Sequence, residues 1–145
     1  MGNVVIYTDG ACEPNPGFGG WGVVFCGANN STKEFCGGEK DTTNNRMEMM
    51  AAIAALEMLK KPCCVTLYTD SRYLIDGATR WMRGWLKNDF KHGTIKNIDL
   101  WKRIELLQRT HNIDWCWVKG HSGNEGNERA DELARLGRKH TMRTI

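Results

Sequence analysis

Strand-like runs that end in a carboxylate constrain the fold of this chain more than any other feature. The apolar runs 4–8 and 65–69 are followed at once by Asp9 and Asp70. Two further acids, Glu48 and Asp131, lie near the start of runs with helical periodicity. In an open α/β sheet, functional groups gather at the edge where strands end. We therefore expect the four carboxylates to meet at one edge of a sheet.

A cluster of four carboxylates needs compensation. Two like charges about 4 Å apart repel by about 4 kcal/mol at an effective dielectric constant of about 20. Protons or hard divalent cations relieve this repulsion, and phosphoryl chemistry requires the cations. The pattern therefore predicts a carboxylate cluster that holds either protons or divalent cations.

Each acid also has an ordinary alternative explanation. Asp9 is followed by a glycine, as in a turn, and Asp70 by a serine, as at a helix N-cap. Asp131 fits a first-turn acid that interacts favourably with the helix dipole. Glu48, three residues after Asn45, fits a capping box. Glu48 also shares a helical face with apolar residues, so we expect it to point toward the sheet.

The order of the elements predicts an α/β fold: a five-stranded mixed sheet, its first three strands antiparallel, with helices on both faces. Strands are expected at 4–8, 21–26, 32–36, 65–69 and 113–118, and helices at 45–61, 72–87, 100–109 and 127–139. A constrained loop is expected at 11–20, a hairpin turn at 27–30, helix interruptions near Gly77 and Gly84, a polar loop at 88–96 and a mobile loop at 120–126.

The composition indicates one globular domain over residues 1–145, with a frayed basic tail from about residue 139. Hydrophobic residues make up 41% of the chain and charged residues 26%, which excludes a disordered chain. No apolar run approaches the roughly 20 residues that span a bilayer. The first residues lack a basic segment typical of secretion, so we expect a cytoplasmic protein. The net charge of +3 favours polyanions only mildly.

The six cysteines do not suggest a disulfide framework or a zinc site. No Cys-x-x-Cys occurs, and two cysteines are adjacent in sequence. We expect reduced thiols at Cys12, Cys26, Cys36, Cys63, Cys64 and Cys116.

The segments around the acids carry more information than the acids alone. They are Tyr-Thr-Asp-Gly-Ala at 7–11, Thr-Thr-Asn-Asn-Arg-Met-Glu at 42–48, Thr-Asp-Ser at 69–71, Lys-Asn-Ile-Asp-Leu-Trp at 96–101, Val-Lys-Gly-His at 118–121 and Asn-Glu-Arg-Ala-Asp-Glu-Leu-Ala at 127–134. This ordered set resembles the bacterial type of ribonuclease H. The resemblance is collinear and extends from residue 4 to about residue 138.

The resemblance implies a metal-dependent endonuclease. Asp9, Glu48, Asp70 and Asp131 would hold two Mg²⁺ ions at the scissile phosphate of the RNA strand in an RNA–DNA hybrid. One ion would activate a water and the other would neutralise charge on the leaving 3′-oxygen, giving 5′-phosphate and 3′-hydroxyl ends. An all-oxygen ligand set suits Mg²⁺ or Mn²⁺ and argues against zinc.

His121 is a fifth catalytic residue by the same resemblance. A lone histidine on a loop is usually only solvated. This one lies on a glycine-rich loop ten residues before Asp131, and its ordinary pKa near 6.5 suits proton movement or product release. Glu128 is a candidate for a supporting or additional cation site.

Recognition of the hybrid requires one surface for each strand. The resemblance assigns Cys12, Asn15, Asn44 and Asn45 to the 2′-hydroxyls of the RNA strand, and Thr43, Asn97 and Trp85 to the DNA strand. The alternative is that the asparagines only serve turns and helix caps.

Two positions depart from the family pattern. Asp41, with Lys40 beside it, stands where the family commonly has an arginine, and a carboxylate cannot cradle a phosphate. Arg72 stands where the family often has a glutamine, and we expect an additional phosphate contact there. These departures bear on affinity for the DNA strand more than on chemistry.

A tryptophan pair lies among basic residues. Trp81 and Trp85 have i, i+4 spacing, which is more often typical of a core than of a nucleic-acid surface. The surrounding cations favour a substrate-gripping surface, here named the basic protrusion, and predict modest, salt-dependent affinity. Its cations are Arg80, Arg83, Lys87, Lys91 and Lys96.

Other functions on the same fold remain open. A DNA-cutting nuclease of the resolvase or transposase type shares this architecture, and a non-catalytic hybrid-binding module is a second alternative. The presence of all four acids argues against the second. The compact ends of the chain suggest a monomer.

Overall fold

A computed structural model describes residues 2–27, 29 and 31–143, which fold around one mixed sheet. The strands are β1 (Gly2–Cys12), β2 (Gly17–Cys26), β3 (Thr32–Thr42), β4 (Cys63–Thr69) and β5 (Asn112–Trp117). They lie in the order β3-β2-β1-β4-β5. The first three strands pair antiparallel, whereas β1, β4 and β5 pair in parallel. The predicted fold class is confirmed.

Helices cover both faces of this sheet. They are α1 (Asn44–Glu57), α2 (Arg72–Asp76), a π-helical segment (Gly77–Trp81), α3 (Met82–Lys87), a short α4 (Asp89–Gly93), α5 (Ile98–Thr110) and α6 (Glu125–Arg143). Gly19 of β2 faces Met47 of α1, and the next residue, Gly20, faces Ala134 of α6. Because successive strand residues point to opposite faces, α1 and α6 lie on opposite sides of the sheet. Within the described residues, no helix combines the length and the apolar character needed to cross a bilayer.

The parallel pairing of β1 with β4 places two aspartates side by side. Tyr7 pairs with Tyr68 in register. Two residues further along each strand come Asp9 and Asp70. Because the period of a strand is two, the Asp9 side chain lies on the same face of the sheet as Tyr7. Asp70 is the first residue after β4.

Helix α1 brings the third acid to this edge. The Thr43 side chain caps the helix by accepting a hydrogen bond from the Arg46 amide at 3.2 Å. A side chain at Gly10 would collide with the backbone of Glu48, so the absence of one lets α1 lie directly on β1. Apolar residues of α1, among them Ile53, are fully buried in the core. The first turn of α1 is therefore held against the end of β1.

Helix α6 approaches the sheet unusually closely. A Cβ at Gly20 or Gly22 of β2 would collide with the backbone of α6. The buried stripe on α6 includes Ala130, Leu133 and Ala134. This close packing carries the intervening Asp131 toward the sheet.

Several element boundaries differ from the predictions. Asp9 lies within β1, which continues to Cys12, so the turn expected at Asp9 is wrong. Strand β3 extends to Thr42 rather than residue 36, because pairing with β2 continues through its glycine-rich part. Helix α1 ends at Glu57, four residues earlier than predicted. The hairpin turn predicted at 27–30 includes Ala28 and Asn30, which lie outside the described residues.

The region after β4 also differs. No break occurs at Gly84, which lies inside α3, and the chain passes Gly77 in a π-helical segment. A side chain at Gly77 would collide with the ring of Trp101. The expected loop 88–96 contains α4, whose residues have left-handed backbone angles.

The last helix is longer than predicted. Helix α6 begins at Glu125, two residues earlier than expected, and runs to Arg143. The predicted frayed tail is therefore helical over 139–143, and residues 144 and 145 lie outside the described part of the chain. The six cysteine thiols are unpaired in this fold.

Candidate functional site

Three of the four predicted acids form one compact group. Asp9, Glu48 and Asp70 each offer a carboxylate oxygen, and these oxygens lie within 4.8 Å of one another. Asp9 is 5% exposed and Glu48 is 6% exposed. The sheet edge therefore gathers carboxylates from β1, from α1 and from the residue after β4.

Burial of these acids perturbs their ionisation. Burial, and after it the neighbouring charge of Asp70, raises the pKa of Asp9 to about 8. Burial also raises the pKa of Glu48 well above its usual value, with added contributions from the charges of Asp9 and Asp70. Without a cation, this group retains protons that isolated carboxyl groups lose near pH 4.

The donor set fits a hard divalent cation. Glu48 Oε1 is buried and has no hydrogen-bond partner among the described residues. An unpartnered buried oxygen is costly, and coordination to a metal would satisfy it. All-oxygen ligation is the preference of Mg²⁺ and Mn²⁺ rather than of zinc. The three acids therefore fit the metal centre that the sequence predicts.

Asp131 lies beside this group rather than within it. Its charge contributes to the raised pKa of Asp9, which places it within electrostatic reach. Its carboxylate pairs with Arg135 at 3.2 Å, one helical turn away on α6. The first-turn acids of α6 are Glu125 and Glu128, so the ordinary role considered for Asp131 is wrong.

The N-cap considered at Asp70-Ser71 is present at Ser71, whereas the capping box considered for Glu48 is wrong. Ser71 caps α2 by accepting a hydrogen bond from the Leu74 amide at 3.1 Å, which leaves the Asp70 carboxylate for the acidic group. Thr43, not Asn45, is the N-cap of α1. The Glu48 side chain is turned toward the acids, as expected from its helical face.

His121 lies on a loop that contacts the acidic group at Asp70. It is exposed and has a left-handed φ of 56°. A Cβ built on the preceding Gly120 would lie 2.6 Å from Asp70 Oδ2, so the loop touches the site. Glu128 accepts a hydrogen bond from the Gly123 amide at 3.2 Å and thus holds the far end of this loop.

The residues assigned to the RNA strand meet beside the start of α1. Asn15 Oδ1 accepts a hydrogen bond from the Asn44 amide at 3.1 Å, joining the β1–β2 loop to the helix. The Cys12 thiol lies 3.5 Å from the Thr42 carbonyl oxygen. Asn45 follows in the first turn of α1. The structure brings these residues together.

The residues assigned to the DNA phosphate also converge. The Arg46 guanidinium donates to Asn97 Oδ1 at 3.2 Å, so the start of α1, capped by Thr43, lies next to the start of α5. Asp99 holds the same guanidinium through bonds of 3.0 and 2.7 Å. Asp41 is exposed at the end of β3.

The two tryptophans of the basic protrusion have different environments. Trp85 is 9% exposed and belongs to the core, whereas Trp81 is 40% exposed. Their ring centroids are 6.0 Å apart. Both rings line a surface pocket of about 440 Å³, together with Arg80 and Lys91. The core explanation applies to Trp85, and Trp81 is available at the surface.

Sequence reasoning missed two residues that shape the site. The Trp117 indole N–H donates to the Asp70 carbonyl oxygen at 3.3 Å, and the Arg72 guanidinium lies 4.1 Å from the centroid of its ring. Tyr73 accepts hydrogen bonds from the side chains of Asn97 and Trp101. None of these contacts can be predicted from a local sequence pattern, because each joins residues more than twenty positions apart.

Known proteins match the chain over most of its length. The RNase H family model matches residues 1–139. A ribonuclease H of Maricaulis maris is 58% identical over 141 residues, covering 94% of both chains. A ribonuclease H of Alcanivorax borkumensis is 56% identical over 140 residues, covering 94% of this chain and 92% of the relative.

Solved structures show the same architecture. LC9-RNase H1, a type 1 RNase H with the type 2 active-site motif, superposes with a TM-score of 0.88 at 33% identity, covering 97% of this chain and 74% of that chain. LC11-RNase H1 in complex with RNA/DNA hybrid superposes with a TM-score of 0.73 at 25% identity, covering 96% of this chain and 99% of that chain. With an acidic sheet edge, a matching family model and relatives more than half identical, the chain belongs to the ribonuclease H family.

Proposed function

We propose that this enzyme hydrolyses the RNA strand of RNA–DNA hybrids at a site where Asp9, Glu48, Asp70 and Asp131 hold two Mg²⁺ or Mn²⁺ ions. The observation that carries the proposal is the group of three carboxylate oxygens within 4.8 Å, with Asp131 in electrostatic reach. Bound there, the ions supply an activated water and charge compensation for the leaving oxygen. The expected products carry 5′-phosphate and 3′-hydroxyl ends.

The chain's own residues prepare this site. Because the pKa values of Asp9 and Glu48 are raised, loading the site with cations releases protons. Trp117 holds the Asp70 backbone through its indole N–H, which limits movement of that carboxylate. His121, on the loop that contacts Asp70, moves a proton or assists product release.

Two surfaces select the strands. Cys12, Asn15, Asn44 and Asn45 meet beside the start of α1, the helix that carries Glu48, and offer short polar groups to the 2′-hydroxyls of RNA. Thr43 and Asn97 hold a phosphate of the DNA strand. The exposed Trp81, the rim of the largely buried Trp85 and the phosphate-directed Arg72 grip the duplex. Arg72 is held over Trp117 by a cation–π contact, which limits its freedom before binding.

A second candidate is a DNA-directed nuclease on the same fold. The hybrid-bound neighbour, LC11-RNase H1, favours the RNA-directed activity. The cytoplasmic location and the monomeric state stay predictions from the sequence.

The test compares four labelled substrates: RNA–DNA hybrid, duplex DNA, duplex RNA and single-stranded RNA. Each is incubated with Mg²⁺ or with a chelator, using the wild type and Asp70→Asn. We expect cleavage of the hybrid alone, only with metal and only by the wild type, while the variant still binds hybrid. Cleavage of duplex DNA at a comparable rate would instead support the second candidate.

A further inference from the structure

Tyr73 joins two parts of the proposed DNA-strand surface. Its hydroxyl oxygen accepts a hydrogen bond from Asn97 Nδ2 at 3.0 Å and another from the Trp101 indole N–H at 3.3 Å. Tyr73 belongs to α2, whereas Asn97 and Trp101 lie at the start of α5. A single hydroxyl therefore connects α2 to the first turn of α5.

These contacts determine how the Asn97 amide is oriented. Arg46 is purely a donor, so the Asn97 oxygen must face it, at 3.2 Å. The amide nitrogen must then face Tyr73. Tyr73 receives one of its two hydrogens, and the second has no acceptor among the described residues. That second hydrogen is available to a ligand.

The Asn97 side chain is held from both sides. On one side, Arg46 is itself fixed by two hydrogen bonds to Asp99. On the other side stands the Tyr73 hydroxyl. Asn97 has a left-handed φ of 60° and does not cap α5 with its side chain. Its amide therefore bonds to Arg46 and Tyr73 instead of to the helix.

The ring of Tyr73 has a separate contact. It meets the half-exposed Trp81 edge to face, with ring centroids 5.8 Å apart. Trp81 sits at the end of the π-helical segment, and such segments recur at functional sites. The same side chain therefore supports the amide at the phosphate pocket and the aromatic surface of the basic protrusion.

We propose that Tyr73 is a positioning residue for recognition of the DNA strand: its hydroxyl aims the free amide hydrogen of Asn97 at a DNA phosphate, and its ring supports Trp81. The proposal rests on the proposed function and adds a residue that acts through its neighbours. A purely structural role is the competing explanation, since the hydroxyl also satisfies the buried indole of Trp101.

A double-mutant cycle separates the two explanations. Hybrid binding is measured by fluorescence anisotropy in chelator, which prevents cleavage, for wild type, Tyr73→Phe, Asn97→Ala and the double variant. A lost hydrogen bond of ordinary strength corresponds to about fivefold in Kd. We expect Tyr73→Phe to weaken binding by about three- to tenfold in the wild type, and by less than about twofold when Asn97 is already alanine. Equal fold-changes in both backgrounds overturn the proposal.

Steady-state kinetics provide an independent readout. For Tyr73→Phe we expect a raised KM with kcat nearly unchanged, and a smaller preference for hybrid over duplex RNA in binding. Tyr73→Leu, which also removes the ring behind Trp81, is expected to raise KM further than Tyr73→Phe. A change confined to kcat overturns the proposal.

Gln108→Met is the matched control. Gln108 makes two half-buried hydrogen bonds, accepting from the Trp115 indole at 2.9 Å and donating to the Ala78 carbonyl at 3.2 Å, away from Asn97. We expect Gln108→Met to lower thermal stability without changing KM. A KM change equal to that of Tyr73→Phe would show that general loosening is responsible. If the wild type itself fails to cleave hybrid, the proposed function is wrong. If the wild type cleaves hybrid but the effects of Tyr73→Phe and Asn97→Ala are additive, only the role proposed for Tyr73 is wrong.

Discussion

The acidic sheet edge and the basic protrusion differ in the sign of their charge and in its burial. At the sheet edge, Asp9 and Glu48 are almost completely buried, and this burial, together with the charges of neighbouring acids, raises their pKa values. In the basic protrusion, Arg80 and its neighbouring cations are exposed on short helical segments and a turn, so water and salt screen their charges.

The difference shows where rigidity is needed. Chemistry depends on placing oxygens accurately, so the acids sit on strands and on a helix packed directly against the sheet. Affinity for a phosphate backbone depends on charge more than on geometry, so exposed side chains on irregular segments are adequate. Variants at the sheet edge should therefore change rates, and variants in the protrusion should change affinity.

The largest expected effect is at the sheet edge. Asp9→Asn should reduce hybrid cleavage by about 10³-fold or more, since several kcal/mol of metal-derived charge stabilisation would be lost. Single-turnover cleavage in Mg²⁺ measures this loss. Asp114→Asn, an exposed acid on β5, is the control and should cleave normally. Equal losses in both variants would contradict a specific role for Asp9.

His121→Ala should have the next largest effect. Loss of a proton-transfer group typically costs about 10²-fold or more, so turnover should fall while metal affinity is retained. Turnover at saturating hybrid and Mg²⁺ titration followed by calorimetry measure the two quantities. Unchanged turnover would remove His121 from the mechanism.

The basic protrusion should respond through affinity. Arg80→Ala with Lys91→Ala should weaken hybrid binding by about tenfold and reduce the slope of log K against log salt by about two, one for each lost phosphate contact. Lys33→Ala on edge strand β3 is the control. An affinity that does not vary with ionic strength would exclude the proposed grip.

Stability without metal should reveal the repulsion among the acids. Asp9 has a pKa of about 8 in the fold against an ordinary value of 3.8, so between these pH values the folded state binds a proton that the unfolded state lacks. Stability in chelator should therefore fall as pH rises from about 4 to 8, and the raised pKa of Glu48 acts in the same direction.

Glu48→Gln provides the comparison. At pH 8 in chelator it should be more stable than wild type by about 1–3 kcal/mol in urea unfolding. Added Mg²⁺ should stabilise the wild type more than the variant. A free energy of unfolding of the wild type that rises between pH 5 and pH 8 would contradict the raised pKa values of Asp9 and Glu48.

The smallest expected effect concerns the backbone of the protrusion. His92 lies in the left-handed turn α4 with a φ of 58°. His92→Gly should raise stability by about 0.5–1 kcal/mol, because glycine adopts this conformation without strain. His140→Gly, in the right-handed helix α6, should lower stability by a similar amount. A change in the free energy of unfolding with the same sign for both variants would contradict the left-handed backbone conformation of His92.

Local sequence patterns predicted the elements that carry the acids. Periodicity placed Glu48 on the inward face of α1, and the ends of strand-like runs placed Asp9 and Asp70. These predictions succeeded because strand alternation and helical spacing depend on neighbouring residues alone. The motif resemblance then supplied the assignment of the acids to a metal site.

The ends of the strands and the burial of individual side chains were harder to predict from the sequence. Strand β3 extends through glycines because β2 pairs with it, which no local propensity indicates. The i, i+4 spacing of Trp81 and Trp85 does not distinguish them, yet Trp81 is exposed and Trp85 is buried. The π-helical segment that ends at Trp81 and the packing of Trp85 against Trp101 set these positions.

The sequence by itself therefore determined the fold class, the identities of the acids and the chemistry of their ligand atoms. Only the tertiary structure decided that three of those acids form a compact group while Asp131 lies beside it, paired with Arg135. It also decided that Tyr73 reaches Asn97. The physical reason is that such contacts join residues far apart in sequence, and their geometry depends on how whole helices pack against the sheet.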